Sequence, residues 1–129
     1  MTHTIRHTGV AKHIGSYSDA IEAAAGLRWL HTSGTPGISP ATGELPKDIE
    51  GQTRQAWANI LAALTAADMT IHDLVKVTTY LTRPGDKPAY VKVRKEVLGD
   101  VKPAFMLSVV NELITPDMLV EVEIIAAAK

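Results

Sequence analysis

The stretch MLVEVEIIAAAK, from Met118 to Lys129, alternates. A β-strand sends successive side chains to opposite sides. Val120, Val122, Ile124 and Ala126 therefore make one wholly apolar face, while Leu119, Glu121, Glu123 and Ile125 make the other. DLVKVTTYLT alternates in the same way, with Val75, Val77, Thr79 and Leu81 on one side and Lys76, Thr78 and Tyr80 on the other. Strands of this kind need a hydrophobic core on one side only. Any fold containing them must find a separate fate for the face that carries the glutamates.

Two stretches have the stripe of an amphipathic helix. In DIEGQTRQAWANILAALTAADM, Trp57, Ile60, Leu61 and Leu64 fall at i, i+3, i+4 and i+7, and Asp48 stands where an N-cap carboxylate can take the first free N–H groups. Gly51 weakens that first turn slightly. In KPAYVKVRKEVLGD, Tyr90, Val93, Val97 and Leu98 share a face; Asp86 and Pro88 suit the start and Gly99 the end. Ahead of the helices, HTIRHT, IEAAA and LRWLHTS read as short strands, the last two flanking Gly26. Thr32 to Pro46 is a long Gly/Pro-rich loop, a kind of segment that is often functional. After the second helix, AFMLSVVNEL and MLVEVEIIAAA read as strands joined by ITPD. The predicted order is β-β-β-α-β-α-β-β, one α+β domain over residues 1–129, with two helices on one face of a mixed sheet. No third helix is available for the other face, which predicts an oligomer whose sheets pack against a partner.

Composition narrows the function. The formal charge of 129 residues is -1, far from the basic balance of a dedicated nucleic-acid binder. KVRKEVLGDVK, the densest basic run, is interrupted by Glu96 and Asp100 and reads as a solvated helix face. The chain has no cysteine, so thiolate nucleophiles, disulfides and Cys-based metal sites are excluded. No apolar run approaches the roughly 20 residues of a membrane span. The N-terminal residues have no apolar signal core, and a cytoplasmic location is expected. His3, His7 and His72 show no ligand spacing such as H-x-x-x-H with an acidic partner, and neither metal nor cofactor is expected.

Glu121 and Glu123 have two readings. Both can be solvated residues of a half-exposed sheet. Alternatively, one lines a pocket, where apolar surroundings raise its pKa and make it a better base. Spacing alone does not choose between them.

The ending PAFMLSVVNELITPDMLVEVEIIA resembles the C-terminal signature of the YjgF/RidA superfamily, the reactive intermediate deaminases. HIGSYSDAI resembles that family's G-P-Y-S-x-A segment, and HTSGTPGISPATGELP its F-T-S-G-Q…P-x-T-G-x-x-P loop. The resemblance spans nearly the whole chain. It implies the fold of the trimeric chorismate mutases: a homotrimer with a central barrel of sheets and small-molecule pockets at the subunit interfaces. It also implies hydrolysis of enamines and imines such as 2-aminoacrylate to the 2-oxo acid and ammonia. By the same resemblance Glu121 positions or activates the attacking water, Tyr17 stands at the pocket rim, and Ser33 and Gly34 contact the ligand. Glu123 then falls to a structural role. Read without the resemblance, Tyr17 packs at an interface, Ser33 satisfies a strand end and Gly34 serves a turn.

One departure is chemical. The deaminases have P-A-R-S/T, whose arginine grips the substrate carboxylate through a bidentate fork; this chain has PAFMLS, with Phe105 in that place. Loss of a charge-assisted anchor costs about 1.5–3 kcal/mol of binding. Val91 stands near the position of a frequent asparagine, Ser16 replaces the proline before Tyr17, and the LITPD turn is one residue longer. Two functions follow. One is a hydrolase of a small imine or enamine, with an uncharged or aromatic substrate suiting Phe105 better than the usual amino-acid-derived acids. The other is a trimeric module that binds a small ligand or partner without turnover. Whether Arg28, Lys76, His13 or His31 reaches the pocket is open from sequence.

Overall fold

A computed structural model describes residues 2–129. The strands are β1 (His3–Arg6), β2 (Ala20–Ala23), β3 (Arg28–His31), β4 (Thr35–Pro36), β5 (Leu74–Leu81), β6 (Ala104–Val109) and β7 (Val120–Ala128). The helices are α1 (Ile49–Ala66) and α2 (Lys87–Leu98). β3, β7, β5 and β6 lie side by side in that order, with β4 also pairing to β7. β5 and β6 are parallel, joined through α2, and the remaining pairs of this sheet are antiparallel. The sheet is therefore mixed, as the order of elements predicts.

The core sits between the helices and one sheet face. Trp57, Ile60 and Leu64 of α1 and Tyr90, Val93 and Leu98 of α2 are buried against Val77 and Leu81 of β5 and Val120, Val122 and Ile124 of β7. Leu61 and Val97, at the margins of their stripes, are half-buried and pack on the same cluster. A buried aromatic such as Trp57 contributes heavily; truncation to Ala costs about 3–5 kcal/mol in cores of this kind.

Several local expectations change. The pairing of β5 with β7 slips between Leu74 and Lys76, so Leu74, not Val75, joins the buried face, and Val75 is left half-buried. A bulge of this kind puts an extra residue in one strand and reverses the parity on its far side. Asp48 occupies the N-cap of α1 in an extended conformation, but its side chain makes no capping bond. A Cβ on Gly51 would come within 2.7 Å of the Asp48 Oδ1 and 2.9 Å of the Pro46 Cβ, so this glycine makes room where the loop enters the helix. Asp86 likewise leaves α2 uncapped, and its carboxylate instead takes the Arg83 Nε and Nη2 at 2.7 and 3.2 Å. β6 ends at Val109 and β7 begins at Val120, so VNEL lies beyond the strand and the connection is longer than ITPD. The long loop contributes a short strand, β4.

The second sheet face is covered at one end by the chain itself. β1 and β2 form a separate antiparallel ribbon. His3 Nε2 is 3.1 Å from the Ala127 carbonyl oxygen, β2 touches β5, and Ser18 bridges to Ala104 at the start of β6. Ala126 and Ala127 are consequently both buried, although they point to opposite faces. Beyond the ribbon the face stays open and bears Thr78, Tyr80, Glu121, Glu123 and the half-exposed Met106. Among the described residues no helix is long and apolar enough to cross a membrane.

Candidate active site

Glu121 lies on β7 opposite Tyr80 of β5 and Pro36 of β4. Two polar residues of α1, the buried Gln52 and the half-buried Asn59, fix these neighbours. Gln52 donates through Nε2 to the Pro46 and Asp117 carbonyls at 2.8 and 3.0 Å, and its Oε1 accepts the Leu119 N–H at 2.8 Å. This one amide ties the long loop, the helix and the entry to β7 together. Asn59 Nδ2 donates to the Pro36 and Ile38 carbonyls at 3.1 and 2.8 Å, holding β4 and the residues after it. The backbone of Gln52 presses so closely on Gly37 that a Cβ there would lie 2.8 Å from the Gln52 Cα.

The close approach continues at Gly34. Its φ is not in the left-handed region, which among the described glycines is occupied by Gly9, Gly26, Gly43 and Gly99. A Cβ at Gly34 would instead overlap the Glu121 carboxylate, coming within 2.7 Å of Cδ. The missing side chain at Gly34 therefore makes room for the Glu121 carboxylate where it lies, and no left-handed turn requires it. Glu121 is half-buried, and among the described residues its carboxylate has no hydrogen-bond or ion-pair partner. Burial, and secondarily the Glu123 charge, raise its pKa above the ordinary carboxylate value. Ser33, beside Gly34, is exposed. The strand end it was expected to satisfy is held by Thr32, whose Oγ1 accepts the Ile124 N–H at 3.0 Å and whose own N–H donates to the Ile124 carbonyl. Ser33 precedes Gly34 in the chain, and its carbonyl accepts from Thr35 Oγ1.

Tyr17 belongs to another part of the chain. Its loop docks on the lead-in to β6: Ser18 N–H donates to the Pro103 carbonyl at 3.1 Å, and Ser18 Oγ donates to the Lys102 carbonyl. Half-buried Tyr17 lines a cavity of about 550 Å³ with His7, Lys12, Asp19 and Lys102. Phe105 pairs with Val77, a core residue, in the parallel ladder. Its ring therefore lies on the helix side of the sheet, opposite to Glu121. One chain brings Ser33, Gly34 and Glu121 together at one place and Tyr17 and Phe105 near the start of β6, and it does not join the two groups.

The candidates left open resolve differently. Arg28 Nε and Nη1 donate to the Lys129 and Ala67 carbonyls, each at 3.0 Å. Lys76 and His31 line a crevice of about 120 Å³ with Thr78 and Glu123, next to the Glu121 position but around the second glutamate. His13 is exposed at the end of a short 3-10 turn. The residue that sequence reasoning missed is Arg94. It sits in the basic run read as a solvated face, yet only 9% of it is exposed. Its guanidinium carbon lies 4.4 Å from the Phe105 ring centroid and 5.9 Å from that of Tyr90. Burial pulls its pKa down from the ordinary arginine value. The available signal was helical spacing: Arg94 follows Tyr90 by one turn and therefore shares the buried stripe.

Comparison with known proteins places this arrangement in a class. Residues 8–128 match the model of the family described as Endoribonuclease L-PSP. A RutC family protein of Pyrococcus horikoshii is 42% identical over 116 residues, covering 89% of each chain. A 2-iminobutanoate/2-iminopropanoate deaminase of Escherichia coli is 32% identical over 81 residues, covering 63% of this chain and 61% of that protein. Among solved structures, the Rid family protein YyfB of Yersinia pestis superposes with a TM-score of 0.85 at 26% identity, covering 99% of this chain and all of the other. The chain belongs to the Endoribonuclease L-PSP family, the YjgF/RidA superfamily, and some of its relatives are named as imine deaminases.

Proposed function

We infer that the protein hydrolyses a small imine or enamine in a pocket formed between copies of the chain, with Glu121 managing the attacking water. The observation that carries this reading is the Glu121 carboxylate: half-buried, without a partner among the described residues, raised in pKa and crowded by Gly34. A carboxylate in that state accepts a proton more readily than an ordinary one. In the proposed step water oxygen bonds to the imine carbon while Glu121 takes a water proton. Glu121 returns that proton to nitrogen, which completes the carbinolamine; it then takes the hydroxyl proton and passes it to nitrogen as the C=O bond forms and the C–N bond breaks, so that a carbonyl compound and ammonia leave. No cofactor enters this scheme.

The separation of Glu121 from Phe105 within one chain favours a shared pocket. The open sheet face beyond the β1–β2 ribbon is where a second copy would pack, and a homotrimer in the cytoplasm is the proposed form. Glu121, Ser33 and Gly34 of one copy would face Tyr17 and Phe105 of another. Phe105 supplies an aromatic wall where deaminases have their carboxylate anchor, so a standard 2-aminoacrylate reaction is disfavoured and a ligand with a flat apolar body fits better. A non-catalytic module that binds a small ligand is the second reading, and Phe105 is the observation in its favour.

The test offers freshly generated 2-aminoacrylate and a series of bulkier imines to wild type, Glu121→Gln and Phe105→Arg, following ammonia release and native mass. General acid–base groups contribute about 10²–10⁴-fold. A loss of that order in Glu121→Gln, with mass unchanged, supports the hydrolase. Absence of wild-type turnover for every substrate, with activity gained in Phe105→Arg, supports the binding module. Dissociation of Glu121→Gln would make this residue architectural.

A further inference from the structure

The chain has five arginines, and four are partnered. Arg6 pairs with Glu22, Arg54 with Glu50 and Glu96, and Arg83 with Asp86, while Arg28 donates to two carbonyls. The side chains of the three ion-paired arginines are 46–65% exposed. Arg94 is the reverse case, only 9% exposed and with no ion pair or hydrogen bond from its guanidinium among the described residues. Burying an unpaired charge is costly, so buried charges are normally paired. The nitrogens of Arg94 are not fully sealed: among the described residues the one buried side-chain nitrogen or oxygen without both solvent and a partner is Trp57 Nε1. What exposure Arg94 keeps therefore includes its unpartnered donors.

The surroundings define what could meet those donors. The Phe105 ring packs close to the guanidinium, with the Tyr90 ring at the limit of cation–π reach. These contacts hold the group in place without engaging its N–H edge. β6 is the last strand in the sheet's order, and Ser18 bridges to Ala104 at its start, so the Phe105 ring and the guanidinium packed on it lie at the outer edge of the sheet. An immobilised guanidinium fork matches the two oxygens of a carboxylate, and it can bind them bidentately.

We propose that Arg94 is the anion-binding residue of this protein, holding the carboxylate of a small ligand whose flat apolar body lies against Phe105. The proposal deepens the reading above by naming the charged end of the ligand, and it depends on that reading only for where the reacting end lies. An acidic ligand is then held from α2, although β6 offers no guanidinium. Phe105 becomes the platform that positions the fork and not a simple loss.

Benzoate and its neutral isostere benzamide test this directly. Each would be titrated into the full-length wild type, Arg94→Met, Arg94→Lys and Glu121→Gln, reading affinity together with the Nε–Hε resonance of Arg94. The expected result is at least tenfold tighter binding of benzoate than benzamide by wild type, with movement of the Arg94 resonance. Arg94→Met should erase the preference and Arg94→Lys should retain part of it, while Glu121→Gln reports separately on imine turnover. The proposal is overturned if wild type shows no preference, if the preference survives in Arg94→Met, or if the Arg94 resonance does not respond. A fall in native mass of Arg94→Met with no benzoate preference in wild type would assign the guanidinium to a carboxylate of a second copy instead. Should Arg94→Met fail to fold, the wild-type resonance and Arg94→Lys still decide. Loss of imine turnover in Glu121→Gln, or its absence throughout, bears on the hydrolase reading and leaves this result unaffected.

Discussion

Asp19 and Glu121 are both carboxylates near loops, and their surroundings are opposite. Asp19 accepts the Ala11 N–H at 2.7 Å, the Thr8 N–H at 2.9 Å and the Gly9 N–H at 3.0 Å. These donors, Ala11 foremost, hold its pKa well below the ordinary carboxylate range. Glu121 has a glycine where any side chain would crowd it, a second glutamate two residues along its strand, and a raised pKa. A carboxylate that shapes a loop is surrounded by donors that need its charge. One held for chemistry is denied them, so that its affinity for a proton rises. The Asp19 loop carries Tyr17, so the structural acid positions one half of the proposed site while Glu121 forms the other.

Four substitutions probe that contrast, from the largest effect to the smallest. Gln52→Ala removes the amide that anchors the loop and the start of β7, and it leaves the Leu119 N–H and two carbonyls without their partner. Unsatisfied buried groups cost about 1–3 kcal/mol each, and a loss of roughly 3 kcal/mol is expected in denaturant unfolding. Asp19→Asn should lower the melting temperature at neutral pH. The sign follows from linkage: a depressed carboxyl stabilises above its unfolded pKa, and the benefit disappears as pH falls through the folded value. Wild type and Asp19→Asn should therefore converge in strong acid. Gly34→Ala should change stability little, because the overlapping atoms end a flexible side chain, but it should deflect Glu121 and depress turnover. Comparable turnover in Gly34→Ala would mean that the carboxylate position is not critical.

Glu121→Gln has the smallest effect on stability and the opposite pH sign. A raised carboxyl binds its proton more strongly in the folded state, so folding loses stability as pH rises through the interval between the unfolded and folded pKa values. Above that interval Glu121→Gln should melt slightly higher than wild type, and the gap should close below the ordinary glutamate range, about 4.3. A variant that melts lower at neutral pH would indicate a hidden stabilising partner for the carboxylate.

Much of this was legible in the residues. The alternation of Val120 to Ala126 separated the core face from the glutamate face, and the stripe from Trp57 to Leu64 located α1. These succeed because burial selects apolar residues at the period of the element. Arg94 was not legible by residue type, since arginine is a surface residue in most sequences. Its partner is a ring on a strand that follows the helix, and only the fold brings them together. The contact of Gly34 with Glu121 is not legible beside its ligand-contact and turn readings, because sequence records the absence of a side chain and not the neighbour that fills its place. The slip at Val75 is equally silent, because either parity of the strand offers an apolar residue there.

The most direct measurement is a carboxyl-carbon NMR titration that follows Glu121 and Asp19 in the same sample. The account predicts that Glu121 titrates above the ordinary glutamate value while Asp19 stays ionised well below the ordinary aspartate value. Glu121 titrating at or below the ordinary glutamate value would contradict the claim that it is an unpartnered carboxylate held ready to take a proton from water.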